Sequence, residues 1–113
     1  MKYIIAIIQP HRLEKVLGEL DKSEIYLRTV TQVMGCGRQK GVTEVYRGNV
    51  EHGNLLKKIK IEIAVNENFV EPCVQALIKG ARTGKVGDGK IFILDLPECV
   101  RIRTEERGSP AIG

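Results

Sequence analysis

The chain has no Trp, only three Tyr and two Phe, and three cysteines in 113 residues. So few aromatics leave Ile, Leu and Val to build the core, and they remove the stacking platform on which single-stranded nucleic acid is usually bound. Cys36, Cys73 and Cys99 are odd in number, far apart and without a CxxC pair, and only His11 and His52 could join them. Neither a disulfide framework nor a zinc site is expected. No apolar run approaches the roughly 20 residues that cross a bilayer, and MKYIIAIIQP has neither the length of a signal-peptide core nor a small-residue cleavage site. The expectation is a cytoplasmic protein without membrane insertion.

What the chain does have is ordinary globular composition, 42% hydrophobic and 28% charged, with a formal charge of +4. That length suits one compact domain with a core of its own, spanning residues 1–113. The basic residues are interspersed with acidic ones, so the charge fits a cavity for small anions and does not call for nucleic acid.

KYIIAIIQ, from Lys2 to Gln9, is a nearly unbroken β-branched run ended by Pro10, the pattern of a strand buried on both faces. Leu13, Val16, Leu17 and Leu20 then recur at helical spacing. YLRTVTQVM, from Tyr26 to Met34, alternates with period two and predicts a strand with one covered face. Gly35 to Asn54 carries five glycines and no apolar period, which makes it a long loop, and KKIKIEIAV resumes the alternation to Val65. A connection of that length between two strong strands reads as an extended hairpin arm, and such loops are commonly functional.

Phe69, Cys73, Val74, Leu77 and Ile78 form the apolar face of a second helix capped by Asn66 or Asn68; with the latter cap, Pro72 falls in the first turn. RTGKVGDG is a glycine-rich loop, KIFILDL a buried-looking strand, and the tail from Val100 a polar, irregular segment. Strand, helix, strand, strand, helix, strand is the α+β, ferredoxin-like βαββαβ order, with both helices on one face of an antiparallel sheet. Ile and Val on the opposite face then call for cover by another chain.

Three clusters carry candidate chemistry. In TGKVGDGK, Gly84, Gly89 and Lys90 satisfy the G-x-x-x-x-G-K part of a Walker A loop, but Ile91 offers no hydroxyl for Mg²⁺ and the loop runs from helix to strand, the reverse of a P-loop. Its glycine amides with Arg82, Lys85 and Lys90 could still cradle phosphate, or the segment is a plain connection with solvated lysines. Arg101 and Arg103 of VRIRTEER point to one side if that segment is extended, ready for an anion, unless they pair with Glu105 or Glu106. GCGRQKG, from Gly35 to Gly41, again joins glycines to Arg38, Gln39 and Lys40. No nucleophile and base fall together, and the chain is not expected to be an enzyme.

The start MKYIIAIIQP, the loop GRQKGVTEVYRG, the strand KIKIEIAV, the block ARTGKVGDGKIF and the end RIRT together resemble, in order and spacing, the PII nitrogen-signalling family over almost the whole chain. The resemblance implies a homotrimer with nucleotide clefts between subunits. It also implies a T-loop at about 36–55 that docks into a target, a phosphate-binding loop at about 82–90 and a C-terminal loop at about 100–113.

It places ATP or ADP phosphates on Gly87, Asp88, Gly89 and Lys90, with Arg38, and on Arg101 and Arg103 of the neighbour. Adenine and ribose fall near Ile7, Thr29, Gly35, Cys36, Glu62 and Ala64, where the family often has a larger apolar residue at the last, and Gly37 is a further nucleotide-binding position. It places 2-oxoglutarate on Gly37, Gln39, Lys40, Gly41 and Lys58, with Gln39 also a ligand of the Mg²⁺ on ATP. The partners implied are an ammonium transporter, glutamine synthetase or its regulators, or nitrogenase. Many bacterial members have Tyr where this chain has Glu51, and some cyanobacterial members have Ser where it has Asn49. Tyr46 matches a different family position. The loop tip NVEHGNLL also lacks the usual aromatic and acidic residues, which leaves the nitrogenase-associated branch open. Ligand occupancy is therefore the expected switch. An alternative is a PII-like trimer of a carboxysome or metal-related pathway that binds adenine nucleotides without sensing 2-oxoglutarate.

Overall fold

The computed structural model describes residues 1–36 and 55–113. Their order is β1 (Lys2–Ile8), a 3-10 turn (Pro10–Arg12), α1 (Leu13–Lys22), β2 (Thr29–Cys36), β3 (Leu55–Val65), α2 (Glu67–Ala81), β4 (Lys90–Asp95) and a short α3 (Ser109–Ile112). The four strands form one antiparallel sheet in the order β2-β3-β1-β4. This is the α+β, ferredoxin-like arrangement expected from the pattern.

Alternation along β1 and β3 sends Ile4, Ala6 and Ile8 and Ile59, Ile61, Ile63 and Val65 to one face, where they pack with Val16 and Leu20 of α1 and Cys73, Ala76 and Leu77 of α2. Ile4, Ile61, Leu77 and Val16 are wholly buried, so the core lies between the two central strands and the helix pair. The helices approach closely at Gly80, where an added Cβ would lie 2.6 Å from Val16 Cα. Arg12 holds the end of α2, donating from Nε to the Gly80 carbonyl (2.9 Å) and from Nη2 to that of Arg82 (3.3 Å). A cation among the unpaired carbonyls of a helix C-terminus also complements its dipole.

Several expectations change. The second strand begins at Thr29 and not at Tyr26, because the chain first turns through Glu24 at φ +60°. Arg28 closes that turn on Asp21 (2.5 Å) and the Ile25 carbonyl (3.1 Å). The strand also lacks its expected covered face, since it is an edge strand beyond the helices and most of it is exposed. The KIFILDL strand is the opposite edge, and Phe92, Ile93 and Leu94 are about half exposed (48, 49 and 47%). Likewise β1, expected to be buried on both faces, buries only one fully within the single chain.

The second helix starts at Glu67, so Pro72 stands inside it and not in the first turn. Pro72 and Asn68 are both exposed there, so water can take the carbonyl that proline leaves without a donor. The tail is ordered beyond what its polarity predicts. Val100 bridges Arg107, the Gly108 amide reaches the Cys99 carbonyl (2.9 Å), and α3 buries Ala111. No helix among the described residues is long and apolar enough to cross a membrane.

Candidate functional site

Strands β2 and β3 pair from Thr29 with Glu62 to Cys36 with Leu55, so the segment 37–54 leaves and re-enters at one end of the sheet. At that end the α2–β4 connection folds over Ile7. Gly89 is in the left-handed region (φ +102°), and an added Cβ would lie 1.7 Å from the Ile7 carbonyl oxygen. Only glycine lets this loop lie against β1. Gln9 ties it down, donating from Nε2 to the Gly87 carbonyl (2.7 Å).

Asp88 shapes the loop from within. One oxygen accepts the amides of Thr83 (2.8 Å) and Gly84 (2.9 Å), and the other accepts the Thr83 hydroxyl, which in turn takes the Lys85 amide (3.2 Å). These bonds, the Thr83 hydroxyl foremost, hold the Asp88 carboxyl below the ordinary carboxylate range. The amides of residues 83–85 are thus engaged inside the loop.

Between the loop and the ends of β2 and β3 lies a cleft of about 760 Å³, within the usual range for small-molecule sites. Its walls include Ile7, Gly35, Cys36, Lys58, Lys85, Gly87, Asp88, Gly89, Lys90 and Phe92. Lys58, Lys85 and Lys90 line it together with Asp88, whose carboxylate the loop donors already engage. Lys58 is buried, with 7% exposure, and has partners of its own. Arg82 instead lines a smaller cavity of about 230 Å³ with Leu77, Ile78 and Ile91.

The structure therefore gathers Ile7, Gly35, Cys36, Lys58 and Gly87 to Lys90 at one end of the sheet. It does not gather Thr29, Glu62, Ala64, Arg101 and Arg103 with them. Thr29 opens β2, seven residues from Cys36, or roughly 23 Å along a strand. It pairs with Glu62, whose carboxylate accepts the Tyr3 hydroxyl and lies 3.5 Å from Lys60 Nζ. The Tyr3 bond, first among the causes, lowers the Glu62 carboxyl and raises the Tyr3 phenol.

Ala64 lines a small cavity with Leu27, Ile112 and Gly113. Arg101 does not lie extended beside Arg103. The segment turns, with the Glu105 amide on the Arg101 carbonyl (2.8 Å), and Arg101 pairs with Glu106 (2.6 Å), the local pairing that the sequence had left as an alternative. Gly37, Arg38, Gln39, Lys40 and Gly41 lie outside the described residues, as do Tyr46, Asn49 and Glu51.

Sequence reasoning missed Phe92, although its place two residues after Lys90 on a strand was a usable signal. It also missed the Gln9 tether and the Thr83–Asp88 pairing. The first joins residues 78 apart and has no local signature.

A family model described as nitrogen regulatory protein P-II matches residues 1–106. The chain is 53% identical to nitrogen regulatory protein GlnK1 of Methanosarcina mazei, over 99% of this chain and 97% of that protein. It is 50% identical to nitrogen regulatory protein P-II 2 of Methanothermobacter thermautotrophicus, over 99% and 97%. Against nitrogen regulatory protein P-II 1 of Escherichia coli K12 it is 49% identical, over 99% and 100%. The expected α+β sheet, a family model that spans all the described strands, and about half-identity along nearly the full length of these relatives lead to one conclusion: this chain belongs to the nitrogen regulatory protein P-II family.

Proposed function

We propose that the protein is a cytoplasmic signal transducer of nitrogen status, without enzymatic purpose, which binds ATP or ADP and responds through the segment 37–54. The observation that carries this reading is the cationic cleft at the base of that segment, where Lys58, Lys85 and Lys90 surround a glycine loop held open by Asp88. Polyphosphate suits such a site, being polyanionic and able to accept ammonium and amide donors together.

The other described nucleotide residues, Thr29, Glu62, Ala64, Arg101 and Arg103, do not line this cleft within one chain. In the reading they complete the cleft of a neighbour in a homotrimer. The apolar outer face of the sheet supports that assembly, with Ile5 opposite Phe92 and Tyr3 opposite Leu94. 2-Oxoglutarate is assigned to Gly37, Gln39, Lys40, Gly41 and Lys58, with Mg²⁺ on Gln39 and ATP. A dicarboxylate next to Lys58 at the cleft wall is chemically coherent, and the metal would supply a shared oxygen-binding centre there. Target proteins, among them an ammonium transporter, glutamine synthetase or its regulators, or nitrogenase, would read the segment's conformation. The names of the relatives, all nitrogen regulatory proteins, support this pathway.

Calorimetry with ATP, ADP and 2-oxoglutarate, with and without Mg²⁺, tests the reading on the wild type and Gln39→Ala. The expected result is 2-oxoglutarate binding only with Mg-ATP, lost in the variant. Equal 2-oxoglutarate binding in every nucleotide state, or full binding by the variant, overturns the coupled site. Absence of nucleotide binding overturns the cleft assignment itself.

A further inference from the structure

The turn after β4 places a carboxylate on a guanidinium that the proposed nucleotide site needs. Arg101 donates from Nη1 to Glu106 Oε1 at 2.6 Å and from Nη2 to the Pro110 carbonyl at 3.0 Å. The same Glu106 oxygen accepts the Thr104 hydroxyl at 2.8 Å. Backbone bonds close the turn around this pair, with the Arg101 amide on the Glu106 carbonyl (2.9 Å) and the Glu105 amide on the Arg101 carbonyl (2.8 Å).

Glu105 pays for the closure, since it is held at φ +62°, a region that residues with a side chain seldom occupy. Arg103, two residues on from Arg101, makes no hydrogen bond or ion pair among the described residues, so the two arginines are in different states. Both members of the pair remain reachable, with Arg101 34% and Glu106 45% exposed at the side chain.

We propose that the Glu106 carboxylate is an internal competitor at Arg101, so that a phosphate reaches this guanidinium by displacing Glu106 and the pair sets the affinity of the nucleotide site. The inference rests on the reading that Arg101 meets a nucleotide phosphate. Carboxylate and phosphate are bound by the same planar fork of N–H donors, and a diphosphate brings more charge and more acceptor oxygens to it. A partly exposed ion pair is weak enough to be exchanged and strong enough to subtract measurably from binding. An Arg101 that turns towards phosphate also gives up the Pro110 carbonyl, which unfastens α3 from the turn.

The test is calorimetry with ADP in the absence of Mg²⁺, on wild type, Glu106→Gln, Arg101→Ala and the double variant. Glu106→Gln is expected to bind ADP roughly two- to fivefold more tightly at low salt. The gain should shrink as ionic strength rises. Glu106→Ala should show the same direction, and Glu106→Gln should change nothing on the Arg101→Ala background. Unchanged or weaker binding by Glu106→Gln, or a gain that survives without Arg101, overturns the competitor. A wild type that does not bind ADP removes the nucleotide reading and the competitor with it, whereas binding without the gain removes the competitor alone.

Discussion

Gly89 has room for hydrogen and nothing larger, since a methyl group there would overlap the Ile7 carbonyl in a backbone conformation that already disfavours side chains. Gly89→Ala should cost about 2 kcal/mol or more, through overpacking and left-handed strain together. Urea unfolding would show the midpoint fall, and an unchanged midpoint would mean that the loop can lift off β1 freely. Asp88 gives the loop a pH dependence of definite sign. Its folded pKa lies below the ordinary 3.8, so the tether to Thr83 and Gly84 is in place above that value and is lost as pH falls through the lower, folded pKa. The Thr83 and Gly84 amide resonances should therefore titrate together with a midpoint below 3.8; a midpoint at or above it contradicts the assignment. Cys73 lies at the other extreme: burial pushes its thiol up to about 11, so it acts as a small apolar core residue and not as a nucleophile.

Helices α1 and α2 are interlocked at the level of backbone, because the Gly80 hydrogen faces Val16 Cα and N. Alanine at position 80 would gain about 1 kcal/mol in helix propensity. Forcing the two helices apart would cost about 1–3 kcal/mol, and because the nearest atoms are backbone the clash should win. Gly80→Ala is accordingly expected to lower the thermal midpoint by a few degrees, and a rise would show that the crossing tolerates a shift of one helix. At this scale the sequence was informative where periodicity was local. Leu13, Val16, Leu17 and Leu20 predicted α1, and the alternation of KIKIEIAV predicted the register that buries Ile59, Ile61, Ile63 and Val65. The strand of Phe92, Ile93 and Leu94 read as buried because composition reports apolar character and is blind to whether a strand ends up central or at an edge.

For the whole molecule, the face of the sheet opposite the helices carries Tyr3, Ile5, Ala64, Phe92 and Leu94. A single chain leaves Phe92 and Leu94 about half exposed, and the proposed homotrimer would bury this face. Leu94→Asp would place a charge on that face. Light scattering at micromolar concentration should find a trimer for the wild type and a smaller species for the variant. A wild type that is a stable folded monomer would overturn the assembly and with it the two-chain cleft.

By itself the sequence determined the order of the four strands and the two long helices, the core-facing residues of β3 and of the first helix, and the motifs that point to one family, because each of these is written in spacing along a few neighbouring residues. Only the tertiary structure decided that Thr29, Glu62, Ala64, Arg101 and Arg103 do not line the cleft formed by Ile7, Gly35, Cys36, Lys58 and Gly87 to Lys90, that Gln9 and Asp88 hold the glycine loop, and that Arg101 is paired with Glu106. Those outcomes depend on chain reversal, as in the turn at Glu105 and the pairing of β1 with β4, where residues far apart or on opposite sides of a turn are brought within hydrogen-bonding distance. No period in the sequence records a distance of that kind.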